Sequence, residues 1–435
     1  MGRKVTCSFA SLVCLVFAIF AVTPSGVLAA DTRATRAGIH KTQGGHLVAT
    51  AKSSSARSHA VAPRTVKAKT SRTRATASTV RTTTSRSRRG ARMVLAVRRT
   101  RHPFYERFTA SSFAENLTLG DVTAGEDPVV RAAAIEALGN MNGTAVAIDP
   151  SSGRILAMVN QKLALSSGAE PCSTIKLAVA LAALDEGLIT KDTPVNLGGH
   201  YTMNLTTALA KSINPYFETL GRELGFERVK HYANMFGLGE LAGFNIQGEQ
   251  LGVYPDTALP ESQGGVGRMC SFGESISMTP LQLGALVSAI ANGGTLYYLQ
   301  HPESAEDAAA FVPKVKRILD IAPLIPEMHD GMEGAVNYGT ARSLRANFHE
   351  FPVLGKTGTC SNNGTRFGWF ASYADTPTGR IVTVIFLEGG RPTFGPKAAE
   401  LTGAFYRGLW DRDYFQPKVP QVASLGSGSG VAAGR

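Results

Sequence analysis

The stretch Pro171-Cys-Ser-Thr-Ile-Lys-Leu-Ala-Val-Ala-Leu-Ala-Ala-Leu-Asp-Glu-Gly187 holds one lysine, Lys176, within an almost wholly apolar run. Leucine and alanine favour helix, and a glycine just past the last turn closes one. The pattern predicts a helix over Pro171–Glu186 that is buried on all sides, because it has no polar stripe to turn towards water. Ser173 and Lys176 stand three apart at its start, so one turn places both side chains on the same side. A serine hydroxyl is a weak nucleophile until a neighbouring base takes its proton. Lysine is such a base only when neutral, so its ordinary pKa of about 10.4 must fall by several units. Burial and a second cation both push that way. The plainer reading is a helix cap with a solvated lysine, since a chain this long shows about one Ser and Lys at this spacing by chance.

Two more signals share this chemistry. In Ser212-Ile213-Asn214-Pro215 the Asn-Pro step reads as a helix N-cap followed by proline at the first helical position. Read for function, Ser212 relays a proton between Lys176 and a leaving group, and Asn214 holds a substrate amide carbonyl. Lys356-Thr357-Gly358-Thr359 follows the apolar Phe351–Leu354 and reads as an edge-strand segment. Gly358 there lets a ligand backbone lie flat against the chain. The cation and two hydroxyls suit a carboxylate, and the Thr359 and Ser173 amides could pair as an oxyanion hole. A basic strand with a bulge glycine is the bland alternative. Ser173, Lys176, Ser212 and Lys356 are thus the candidate catalytic groups. Asn214, Thr357, Gly358 and Thr359 are the candidate substrate-binding groups. Such a set is suited to opening an amide bond through an acyl-serine intermediate.

In this order the signals resemble the SxxK, SxN and KTG elements of penicillin-binding protein transpeptidase domains, the serine acyltransferases that crosslink peptidoglycan. Context outside the three motifs agrees: Val146-Ala-Ile-Asp-Pro150, Gly153 through Met158, Met278-Thr-Pro-Leu-Gln-Leu283, Ala291-Asn-Gly-Gly294 and Gly339-Thr-Ala341. The resemblance covers roughly 140–412. It implies that Ser173 is acylated and Lys176 is its base, while Ser212 and Asn214 serve proton transfer and positioning. Lys356, Thr357 and Thr359 would bind the terminal carboxylate of a D-Ala-D-Ala stem peptide or of a β-lactam. The pattern departs from the family in three ways. The 39 residues from Ser173 to Ser212 are fewer than usual, Cys172 stands where a small residue such as glycine is commoner, and nothing N-terminal reads as a glycosyltransferase or a large pedestal domain.

The remaining pattern predicts an α+β fold. Gly143–Pro150 and Ile155–Asn160 flank a Ser-Ser-Gly turn and read as a hairpin. Helical patterns occupy 214–224, 226–236 and 279–292, strands Phe367–Tyr373 and Arg380–Leu387, and a last helix Lys397–Trp410. An antiparallel β-sheet flanked by helices, with an all-helical subdomain, accommodates them. The resemblance makes that fold β-lactamase/transpeptidase-like.

The chain of 435 residues divides by composition into 1–30, 31–101, 102–140, 141–415 and 416–435. Arg3 and Lys4, the apolar Leu12–Val22 and Val27-Leu-Ala-Ala30 read as an export signal, cleaved or kept as an anchor. Asp31 through Tyr105 holds 18 Lys or Arg and one acidic residue; with Arg3 and Lys4 also counted, 106–435 is left at −7 against a whole-chain charge of +12. With almost no aromatics, 31–101 cannot bury enough apolar surface to offset its ordering entropy and reads as a disordered basic linker. An exported basic arm meets anionic envelope polymer or the membrane surface before any nucleic acid, so nucleic acid is not an expected partner. The stretch 102–140 reads as a short helical lead-in, 141–415 as the transpeptidase-like domain and 416–435 as a disordered tail. Localisation follows as periplasm or the outer face of the bacterial cytoplasmic membrane.

After cleavage three cysteines remain, Cys172, Cys270 and Cys360. A pair can oxidise in an exported protein, and Cys172 and Cys360 each flank a motif; reduced, buried fillers are the other reading. The nine histidines show no metal spacing, so neither metal nor cofactor is expected. Three functions compete. The first is a D,D-transpeptidase or D,D-carboxypeptidase, and the second a serine β-lactamase. A β-lactam sensor or scaffold without turnover is the third. The 144 residues between Ser212 and Lys356 and the Thr279-Pro-Leu-Gln run favour the first.

Overall fold

The computed structural model describes residues 107–416. The chain first forms helix α1 (Pro128–Leu138), the hairpin β1 (Gly143–Asp149) and β2 (Arg154–Val159), and the short α2 (Gln161–Ala164). A mainly helical segment follows. It comprises α3 (Lys176–Asp185), the small pair β3 (Val195–Asn196) and β4 (Thr202–Met203), α4 (Leu205–Lys211), α5 (Asn214–Leu224), α6 (Phe226–Met235), α7 (Gly265–Phe272) and α8 (Pro280–Asn292). Next come β5 (Thr295–Tyr297), α9 (Ala305–Ala309), β6 (Val315–Ile318) and α10 (Ile325–Asn337). Three long strands, β7 (Val353–Asn362), β8 (Thr365–Thr376) and β9 (Gly379–Gly389), lead into α11 (Gly395–Trp410).

The main sheet is antiparallel in the order β2-β1-β9-β8-β7, so β7 is an edge. Successive side chains on a strand point to opposite faces. Here both faces are covered, and the inner strands β1, β8 and β9 are apolar in both registers. Val146, Ile148, Trp369, Ala371, Val382, Val384 and Phe386 enter a core shared with the helical segment. Ala145, Ala147, Phe370, Ala374, Ile385 and Leu387 enter a second core beneath α1 and α11. The fold is α+β. Helix α8 lies directly on the sheet, and Gly284 sets how close: a Cβ there would stand 2.6 Å from Ile148 Cδ1. Its start is fixed by a reciprocal cap, with Thr279 Oγ1 accepting from Gln282 N at 3.1 Å and Gln282 Oε1 from Thr279 N at 2.9 Å.

Two expectations need correction. The helix read over Pro171–Glu186 is a 3₁₀ turn, Cys172–Ile175, followed by α3. In the lead-in read over 102–140 the described helix is α1, while 107–127 is irregular and held by side chains instead. Ser112 Oγ accepts from Gly390 N at 2.7 Å, and the buried Asp121 and Glu126 carboxylates each pair with Arg131 at 2.8 Å. Asp121 also takes the Asn160 and Gln161 N–H groups. The export signal at 1–30, the basic arm at 31–101 and the tail from 417 onward lie outside the described residues. Among the described residues no helix is long and apolar enough to cross a membrane.

Candidate active site

Lys176 opens α3 with no exposed surface, because every neighbouring position on that helix is also buried. An ammonium placed there needs partners. Its Nζ donates to Asn214 Oδ1 at 2.6 Å, Ser212 O at 2.9 Å and Ser212 Oγ at 3.1 Å. Three acceptors match an ammonium, but a neutral amine has only two hydrogens. In the neutral state its lone pair therefore faces a hydroxyl. Burial pushes the Lys176 pKa down to about 6, with the Lys356 charge adding and Glu218 opposing.

Ser212 caps α4 in the left-handed region, at φ +56°. That turn folds its hydroxyl and its carbonyl back towards Lys176 and aims the next helix, α5, at the same point. Asn214 is the first residue of α5 rather than its cap. The cap is Ile213, with no side-chain cap bond, and this leaves the Asn214 amide free to accept from Lys176. The capping role expected of Asn214 is thus overturned.

Strand β7 sorts its residues by parity. Lys356, Gly358 and Cys360 face the turn before α3, whereas Thr357 and Thr359 face the other way. Lys356 is fully buried, and its Nζ donates to Ser212 Oγ at 2.8 Å and Thr357 O at 3.0 Å. Burial alone pushes its pKa down to about 7. A Cβ on Gly358 would stand 2.8 Å from the Pro171 carbonyl oxygen and 3.2 Å from Thr174 Cγ2. Gly358 therefore makes room for the turn that carries Ser173. Cys360 forms a disulfide with Cys172, which resolves the pairing left open above; Cys270 is free and buried. On the opposite face the Thr357 and Thr340 hydroxyl oxygens lie 2.6 Å apart, and Thr359 Oγ1 accepts from Gly395 N at 2.7 Å.

The structure therefore joins Lys176, Ser212, Asn214 and Lys356 in one hydrogen-bonded set. The half-buried Ser173 sits on the adjoining turn. Thr357 and Thr359 lie on the neighbouring face of the same strand. Sequence reasoning missed Thr340 as a partner, although Gly339-Thr-Ala341 stood out as context. That loop is positioned by α4: the Thr340 N–H reaches the Ala210 carbonyl at 3.1 Å, two residues before Ser212.

Residues 143–407 match the family of the penicillin binding protein transpeptidase domain. Stage V sporulation protein D of Bacillus subtilis strain 168 is 28% identical over 340 residues, covering 64% of this chain and 50% of the relative. Peptidoglycan D,D-transpeptidase FtsI of Escherichia coli strain K12 is 27% identical over 291 residues, covering 59% and 46%. The chain thus spans about half the length of these curated relatives. Among solved structures, the apo TP domain of Burkholderia pseudomallei penicillin-binding protein 3 superimposes with a TM-score of 0.58 at 20% identity, covering 68% of this chain and 98% of that one.

Proposed function

The chain belongs to the penicillin-binding protein transpeptidase domain family, and from that membership we propose that it is a serine D,D-acyltransferase of the cell envelope. Its substrates are D-Ala-D-Ala stem peptides of peptidoglycan, and β-lactams acylate it. The observation that carries this reading is the buried set Lys176–Ser212–Lys356 beside the Ser173 turn. In the proposed sequence, neutral Lys176 takes the Ser173 proton as Ser173 Oγ attacks the penultimate D-Ala carbonyl. The oxyanion that forms rests between the Ser173 and Thr359 N–H groups. When the C–N bond breaks, Ser212 passes the proton from Lys176 to the departing amine, with Lys356 holding the Ser212 oxygen. An amine or water then opens the ester, giving a crosslink or a trimmed peptide.

Asn214 positions the substrate amide. Thr357 and Thr359 hold the terminal carboxylate. Lys356 supports it by charge, with two of its three ammonium N–H groups given to Ser212 Oγ and the Thr357 carbonyl. The basic arm at 31–101, with its local excess of Lys and Arg, holds the protein against anionic envelope polymer or membrane on the outer side of the cytoplasmic membrane. Envelope association that does not respond to salt rejects that part.

Intact mass after benzylpenicillin tests the reading. A persistent adduct on Ser173 that is absent from Ser173→Ala is the expected result. An adduct that vanishes as antibiotic is consumed identifies a β-lactamase instead, and labelling of Ser173→Ala rejects the nucleophile. Exchange of labelled D-alanine into a stem peptide separates an acyltransferase from a sensor that acylates without acting on peptides.

A further inference from the structure

Two residues that no motif contains flank the two proposed oxyanion donors. Cys172 immediately precedes Ser173, and Cys360 immediately follows Thr359. Their disulfide spans 188 residues of chain and brings the two Cα atoms to 5.5 Å. Thr359 lies on the open edge of the sheet. The carbonyl of Thr357 is taken by Lys356 Nζ rather than by β8, and peptide groups along an antiparallel edge alternate between partner and open side, so Thr357 and Thr359 share that side. The Ser173 N–H belongs to the first turn of a helix, where amides have no intrahelical partner.

Cys172 adopts φ +52°, in the left-handed region that glycine enters freely and other residues enter at a cost. Within the turn the Thr174 N–H and hydroxyl both donate to the Pro171 carbonyl, at 3.1 and 2.6 Å. Trp369 Nε1 donates to the Glu170 carbonyl at 3.0 Å, and the Gly358 backbone packs against the Pro171 carbonyl. These bonds meet at Glu170, Pro171 and Thr174, and the disulfide is the covalent tie at Cys172 itself.

We propose that Cys172 and Cys360 are positioning residues: their disulfide holds Cys172 in its left-handed conformation and so sets the Ser173 N–H opposite the Thr359 N–H. A glycine at 172 would take that torsion without a crosslink; this chain has a cysteine and a tether. The inference rests on the proposed role of Ser173.

The test uses the oxidised full chain and benzylpenicillin, reading the acylation rate at saturation separately from the apparent Kd. Cys360→Ala removes the tether and leaves an unsupported left-handed cysteine. Its saturating rate is expected to fall about tenfold to hundredfold, the range for a misplaced oxyanion donor. The Kd stays within about twofold, because the carboxylate site lies on the other face of β7. Cys172→Gly added to Cys360→Ala is expected to restore the rate, since glycine supplies the torsion. Should Cys360→Ala not fold, the same measurement is made on the folded parent reduced by dithiothreitol, which leaves as its cyclic disulfide after giving two electrons and two protons. Reduction is then expected to slow acylation and reoxidation to restore it. A parental rate in the untethered or reduced protein, a rate loss matched by a Kd loss, or failure of Cys172→Gly to rescue Cys360→Ala overturns the inference. A parent that is never acylated at Ser173 rejects the functional reading instead.

Discussion

Lys356 donates to Ser212 Oγ at 2.8 Å, across 144 residues of chain, and the same oxygen lies 3.1 Å from Lys176 Nζ. Two buried lysines converging on one hydroxyl cannot both hold a proton cheaply. Lys176, with the lower pKa, yields first.

Acylation should therefore rise with pH through a midpoint near 6, the value to which Lys176 is pushed. Below it Lys176 is protonated and cannot accept from Ser173, so the rate falls about tenfold per pH unit. Lys356→Ala removes the neighbouring cation, which raises the Lys176 pKa and moves this limb to higher pH. A pH profile of penicillin acylation checks both; a limb that stays put in Lys356→Ala refutes the coupling.

Ser212 occupies a left-handed position that glycine tolerates, so Ser212→Gly deletes the hydroxyl without straining the turn. The expected variant melts within a few degrees of the parent but turns over stem peptide on the order of 10²-fold more slowly. Thermal melts and peptide turnover on the same sample decide it.

Gly358→Ala places a methyl 2.8 Å from the Pro171 carbonyl oxygen, backbone that cannot swing aside. The Ser173 turn must shift, and a displacement near 1 Å costs about 10²-fold in rate. The prediction is a slow saturating acylation rate, measured by stopped-flow with a chromogenic β-lactam. Parental kinetics would show that the turn yields without consequence.

Arg131 neutralises Asp121 and Glu126, whose side chains are 2% and 1% exposed. Arg131→Met takes the shared guanidinium from two buried carboxylates, leaving them only N–H partners such as those of Asn160, Gln161 and Met158, and should cost about 3–5 kcal/mol in unfolding free energy. Urea denaturation at pH 7 measures it, and an unfolding free energy equal to the parent's refutes it.

The helices that escaped sequence reading were the short α2 and α9, together with α4, α7 and α10. The last two carry glycines, Gly265 and Gly267 in α7 and Gly331 and Gly334 in α10, which count against helix. Tertiary packing needs a glycine where two of these helices meet a neighbour. A Cβ on Gly331 would lie 2.8 Å from Leu209 Cβ, and one on Gly221 of α5 would lie 2.7 Å from Cys270 Cβ in α7. The irregular clamp over 107–127 escaped for a different reason. Its order comes from Ser112, Asp121 and Glu126 reaching far along the chain, which no local period reports.

The sequence by itself determined the strand and helix periods and the identity of the candidate reactive side chains. These are local properties: a side chain carries its own chemistry, and alternation or helical spacing is written in adjacent residues. Only the tertiary structure decided which groups touch. It turned Asn214 from a cap into a lysine partner, divided β7 into a face towards Ser173 and a face towards Thr340, and joined Cys172 to Cys360. Those outcomes depend on distances between residues 17 to 188 apart in the chain, and such distances follow from packing the whole chain rather than from any stretch of it.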